Sequence, residues 1–291
     1  MIDGLRAEFP SATRWVAGLQ RPAVAREPVG WAFLSAAGAG FVVGGIVGLV
    51  LLTAAPVLFS ATEPRPTWFT YPVITRAAAS LAIGAVALRS GGVAALALYV
   101  LYELALIVAA FPGRQRSCAF VDSAHPQTCD ILGLVVDHWP MWLALALGAI
   151  GSRWLFRAGG QHGANRLLRG AGTFAVVVTI ATTLYGVLTY ATISSRESSL
   201  EFVLMAIYVL GQLVGGILAG MILGRSRSAA ALLMGLLVIS GLAATLPNIR
   251  ANWIPNMPLE MLFLSYSGVF APLVGAIGIA LGWTVRRRQT M

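Results

Sequence analysis

The sequence predicts an all-α protein, a polytopic bundle of about eight transmembrane helices with both its N-terminus and its C-terminus cytoplasmic. Composition, the spacing of apolar runs and the placement of arginine carry that prediction. Hydrophobic residues fill 58% of 291 positions and charged residues 11%, and the mean hydropathy is +0.80. These values lie outside the soluble globular range. A bilayer core about 30 Å thick asks for roughly 20 apolar residues per helical span. Eight stretches meet or approach that length, near 31–59, 69–88, 92–111, 138–156, 171–192, 201–224, 229–246 and 259–284. The second and seventh are the shortest.

Arginine sets the orientation. All twenty basic residues are arginine. With the N-terminus inside, fourteen of them fall in inner segments (6, 14, 21, 26, 89, 153, 157, 166, 169, 225, 227 and 286–288). Five fall outside: Arg65, Arg114, Arg116, Arg196 and Arg250. That excess obeys the positive-inside rule, and an odd number of spans would destroy it. The expected location is the cell (inner) membrane, in multi-pass form. The net charge of +9 then reads as attraction to anionic membrane lipids, with no nucleic-acid partner expected. About thirty mixed polar residues precede the first apolar run, so no signal peptide is expected.

Residues 1–29 form a cytoplasmic tail in which Ile2, Leu5, Phe9, Trp15, Val16 and Leu19 alternate with arginines. The tail reads either as an amphipathic helix on the inner leaflet or as an ordinary tail. Residues 30–291 form one membrane-embedded helical domain, with outer loops near 60–68, 112–137, 193–200 and 247–258. Span one carries Gly40, Gly44 and Gly48, and span six carries Gly211, Gly215, Gly216, Gly220 and Gly224. Four-residue spacing sets such glycines on one helix face, where a neighbouring backbone can approach closely. The strings "VVGGIVG" and "LVGGILAG" also resemble each other, as the two halves of an inverted repeat would.

Spans two and three form a hairpin about Gly91. Glu103 lies near the middle of span three, where an unpaired carboxylate costs several kcal/mol. Counting from the turn puts Arg76 at a similar height, so the two are expected to meet as an ion pair. The pair serves either to fix the hairpin register or as a proton-coupling element. Span five offers Thr179, Thr182, Thr183 and Tyr185, which with Gln212, Tyr99 and Tyr102 can line a polar cavity. Threonines also satisfy their hydroxyls on their own helix, so an inert span is the competing reading. The loop before span eight holds Pro247, Pro255 and Pro258, which forbid a regular helix there and suggest a cap or lid.

The outer loop "RSCAFVDSAHPQTCDILGLVVDHWP" contains both cysteines. Outside the membrane, Cys118 and Cys129 are expected to close a disulfide worth roughly 3 kcal/mol in the chain-entropy model. A zinc site on these cysteines and His125, completed by Asp122, Asp130 or His138, matches no common spacing. Asp137 and His138 with Glu260 are the outer-face candidates for chemistry. Without lysine or a histidine inside any span, a retinal Schiff base and an intramembrane bis-histidine haem are excluded, and no ATPase or common hydrolase motif is present. No metal or cofactor is therefore expected.

Three functional classes follow. The first is a small-solute or lipid permease with Glu103 as a proton-coupling group. The second is a non-catalytic membrane subunit or assembly factor with protein partners or as a homo-oligomer. The third is an enzyme acting on a lipid at the outer face.

Overall fold

The computed structural model describes residues 27–58, 71–120, 131, 135, 138–155, 162–192, 198–224, 226–252 and 259–289. These residues form seven helices and no strand: α1 Val29–Leu58, α2 Tyr71–Phe120, α3 Trp139–Leu155, α4 His162–Thr192, α5 Ser198–Leu223, α6 Arg227–Asn252 and α7 Leu259–Arg288. Four stretches are long and apolar enough to cross a bilayer: Val29–Leu51, Val73–Phe111, Asn165–Thr189 and Val203–Leu223. Trp139–Ser152 and Arg227–Leu242 are shorter apolar helices.

The second of the four is too long for one crossing. At 1.5 Å per residue, Val73–Phe111 would extend about 58 Å against a core of about 30 Å. Gly92 breaks it, with φ 68° and ψ −155°, a backbone conformation that only glycine adopts readily. The chain turns back there. Before the break, Gly40 of α1 faces Ile83, Gly44 faces Ala79 and Gly48 faces Thr75, so this arm runs antiparallel to α1. After it, the rings of Tyr99 and Tyr102 lie 6.2 and 5.5 Å from that of Phe33. A straight helix would have carried Tyr102 about 12 Å past the end of α1.

The remaining directions follow from contacts of the same kind. α4 runs parallel to α1, because Glu27 meets Arg169, Trp31 meets Arg169 and Phe41 meets Phe174 in rising order. α5 returns antiparallel to α4, pairing Gly170 with Leu223, Gly215 with Val177 and Gly211 with Ala181. α7 lies parallel to α5, with Gly216 against Gly278, Gly220 against Trp283 and Gly224 against Arg286. α3 packs on α2 where Gly84 meets Leu145 and Gly148 meets Leu81. Leu233 and Leu237 of α6 join Phe174, Leu223 and Ile279 in one buried cluster, bordered by Phe41 and Val42 of α1.

The two glycine stripes therefore seat different partners. Gly40, Gly44 and Gly48 of α1 accept the antiparallel first arm of α2, and Gly211 and Gly215 of α5 the antiparallel α4, while Gly216, Gly220 and Gly224 face the parallel α7. The tightest approach lies elsewhere. A Cβ added at Gly38 would collide with the carbonyl of Leu168, and one at Gly172 with the carbonyl of Leu34. Helices held in lipid gain little from hiding apolar side chains from one another, so this backbone-to-backbone fit contributes directly to their association. The outer surface is correspondingly greasy, with Leu101, Ile150 and Leu232 each more than 60% exposed.

Substituting Gly172 by Val is expected to cost about 3 kcal/mol or more through overpacking. Gly186→Ala, which meets nothing within 4 Å, should be neutral or up to about 1 kcal/mol more stable. Gly92→Ala should lose about 1–3 kcal/mol to backbone strain. Equilibrium unfolding in mixed micelles would rank the three, and equal effects at Gly172 and Gly186 would refute the close-approach account.

Candidate functional site

Glu103 sits on the second arm of α2, about 16 Å along the helix from the turn, near mid-depth of a bilayer core. Tyr99, one helical turn earlier, donates its hydroxyl to Glu103 Oε1. Spacing of four residues makes this contact local and sterically simple. The Tyr99 ring is buried, 6.1 Å from that of Tyr102. Both pack on Phe33 of α1. Tyr102 approaches Thr179 of α4 closely enough to interact, although its buried Oη completes no hydrogen bond of good geometry. Three helices thus gather a carboxylate, two phenols and a threonine in an otherwise apolar layer.

Arg76 does not take part. It is exposed on the first arm, and among the described residues no ion pair joins it to Glu103. The reason is geometric. Measured from the break at Gly92, the two differ in height by about 8 Å. Thr75 and Ala79 turn that arm toward α1 and leave Arg76 on the outer side. The expected ion pair is replaced by the Tyr99 hydrogen bond.

The rest of the proposed cavity lining divides. Gln212 is 4% exposed and lies alongside Tyr208, whose ring stands 6.2 Å from that of Tyr185. Gly275 of α7 leaves the space for it, since an added Cβ there would come within 3.3 Å of Gln212 Oε1. Thr179 and Thr182 donate to the carbonyls of Ala175 and Val178 on their own helix. Thr182 is exposed and Thr183 half-buried, so Thr182 faces away from the cluster.

At the start of α3, the carbonyl of His138 accepts from the amides of Met141 and Trp142, and Trp142 Nε1 donates to the carbonyl of Val135 at 3.0 Å. Asp137, Cys129 and the side chains of Cys118 and Glu260 lie outside the described residues. Among the described residues no group of three or more His, Cys, Asp or Glu is placed to hold a metal ion.

A polar joint that sequence reading did not single out binds the other end of the bundle. Glu27 Oε1 accepts from Arg169 Nη2 at 2.8 Å and from Asn165 Nδ2 at 3.0 Å. The Glu27 amide donates to the carbonyl of Ser90 at 3.0 Å, two residues before the break at Gly92. The Arg169 guanidinium also lies 5.1 Å over the Trp31 ring, a cation–π geometry. One acid therefore ties the starts of α1 and α4 to the α2 turn. The available signal was an acid flanked by proline just ahead of the first apolar run, where a helix N-terminus favours negative charge.

The chain matches no protein-family model, and neither a curated protein nor a solved structure is similar to it. Among the described residues, fold and site together define an all-helical bundle with four helices long and apolar enough to cross a bilayer and a polar cluster inside one of them.

Glu27→Ala removes two charge-assisted hydrogen bonds and is expected to cost about 1.5–3 kcal/mol. A double-mutant cycle with Arg169→Gln should give a coupling above about 0.5 kcal/mol. Additive losses would mean that the contact contributes nothing as a pair.

Proposed function

We propose that the chain is an inner-membrane, multi-pass permease for a small solute or a lipid, with Glu103 as its proton-coupling group. The observation that carries this reading is the Tyr99–Glu103 hydrogen bond inside an apolar span, with Tyr102 and Thr179 beside it. A phenol satisfies one lone pair of the carboxylate but brings no charge to balance it. A carboxyl group kept at that depth with no cationic partner among the described residues marks a place for proton or solute exchange.

Eight crossings with both termini inside accompany this reading. The break at Gly92 converts seven helices into eight rods. Their alternation is supported where the contacts give a direction: down α1, back along the first arm of α2, and onward through α4, α5 and α7. The arginine distribution then puts the starts of α1 and α4 on the cytoplasmic side. An outer Cys118–Cys129 disulfide belongs to the same topology.

The second reading, a non-catalytic membrane subunit, draws on α3. Leu143, Leu147 and Ile150 form an exposed apolar ridge along it, and among the described elements α3 packs only against α2. Such a ridge suits a protein neighbour as well as lipid.

Proteoliposomes loaded with a pH-sensitive dye and challenged with a panel of amino acids, sugars, organic acids and phosphate would separate the two. Permease activity is expected as solute-dependent proton movement, lost at least tenfold in Glu103→Gln, with the fold retained by thermal melting. Glu103→Gln that only lowers stability, with no proton movement in the wild type for any solute, would sink the permease reading. For the loop, alkylation before and after reduction should reveal both thiols only after reduction; two free thiols in the native protein would remove the disulfide.

A further inference from the structure

We propose that the arginine-lined cavity at the joint end of the bundle binds the phosphate of an anionic membrane amphiphile. The cavity encloses about 410 Å³ and is lined by Trp31 of α1, Arg166 and Arg169 of α4, Met221 and Ile222 of α5, and Arg286 of α7. That volume falls in the range of small-ligand sites. Helices α1 and α4 begin at this end and α5 and α7 finish there, so four helix termini frame one opening. The site does not depend on the chain transporting anything.

Charge selects the ligand class. Three guanidinium groups line the cavity and, among the described residues, no acid does; the Glu27 carboxylate is engaged by Arg169. The three arginines differ in what they can offer. Arg169 is held by Glu27 and Trp31, and its buried Nε has no hydrogen-bond partner among the described residues. Arg166 is exposed at the rim. Arg286 rests its stem against Gly224, which has no side chain to displace it, and extends Nη1 toward Gln289 Oε1 at 3.4 Å. Guanidinium forks match phosphate oxygens in geometry and charge, and such charge-assisted bonds are the strong ones.

The remaining wall distinguishes an amphiphile from a free ion. Trp31, Met221 and Ile222 give the cavity an apolar side; Leu218, one turn before Ile222 on α5, and Val285, next to Arg286 on α7, are 40% and 47% exposed. A phosphate carrying hydrocarbon chains fits both halves, with the headgroup among the arginines and the chains along α5 and α7. Juxtamembrane arginines commonly meet anionic headgroups at this depth. What distinguishes this cavity is convergence from two helices onto a walled space.

The test is native mass spectrometry of the detergent-solubilised full chain, titrated with phosphatidylglycerol or phosphatidylcholine of identical acyl chains, with and without inorganic phosphate. Wild type is expected to retain one phosphatidylglycerol with at least tenfold preference over phosphatidylcholine. R166Q/R286Q should lose about tenfold in that affinity, while R287Q/R288Q, with the same loss of charge outside the cavity, keeps it. Arg169 is left intact because it holds the joint. Should the double variant fail to fold, R166Q alone, at an exposed position, should show a smaller drop of the same sign. Equal retention of the two lipids, an unchanged R166Q/R286Q, or equal losses in both double variants would overturn the proposal. Displacement of the lipid by equimolar inorganic phosphate would overturn it too, because the site would then hold a free ion.

Discussion

The bundle depends on backbones that touch. Water drives soluble helices together by expelling apolar side chains, but a lipid tail is as apolar as leucine and supplies no such force. Association must come from contact area and from the few polar bonds that lipid cannot replace. Gly38 against Gly172 brings α1 and α4 so close that each lacks room for a methyl group, and α5 meets α7 the same way at Gly216 and Gly278. Dispersion contacts are individually small, and only close approach multiplies them enough to matter. Exposed Leu101, Ile150 and Leu232 then need no protein partner to be stable in a bilayer.

Polar groups occupy the places where glycine contacts alone would leave the geometry loose. At one end Glu27 joins three chain segments, and because its partners are a guanidinium, an amide side chain and a peptide carbonyl, each bond fixes a different direction. Deeper in, Tyr99 and Glu103 lie on a single helix and fix nothing between helices. The first group makes a rigid corner. The second has freedom that a structural pair would lack, since Tyr102 and Thr179 are near without being fully bonded to it. The contrast separates a polar contact that joins helices from one that stays within a helix.

Much of the architecture was legible in the sequence because it rests on periodicity. Helix formation, the reversal near Gly91, and the glycine faces of α1 and α5 all follow from local spacing. The pairing of Arg76 with Glu103 was misread because counting along a hairpin gives height but not azimuth, and a one-residue shift of the turn moves both heights in opposite directions. Glu27 escaped notice for another reason: Asn165 is 138 positions away, and no local pattern encodes that contact. The Arg166, Arg169 and Arg286 grouping was visible only as an inner-side charge excess. Convergence on a cavity is a property of packing order, which the chain specifies only through the assembled bundle.

Gly92 has a consequence for how the protein is made. Val73–Phe111 enters biosynthesis as one nearly unbroken greasy run, and a lateral gate meeting it has no long polar loop to mark where one pass stops and the next begins. The reversal is set by a single left-handed backbone torsion and by the arginine just ahead of it. A side chain at Gly92 would strain the reversal on which the separation of the two arms rests.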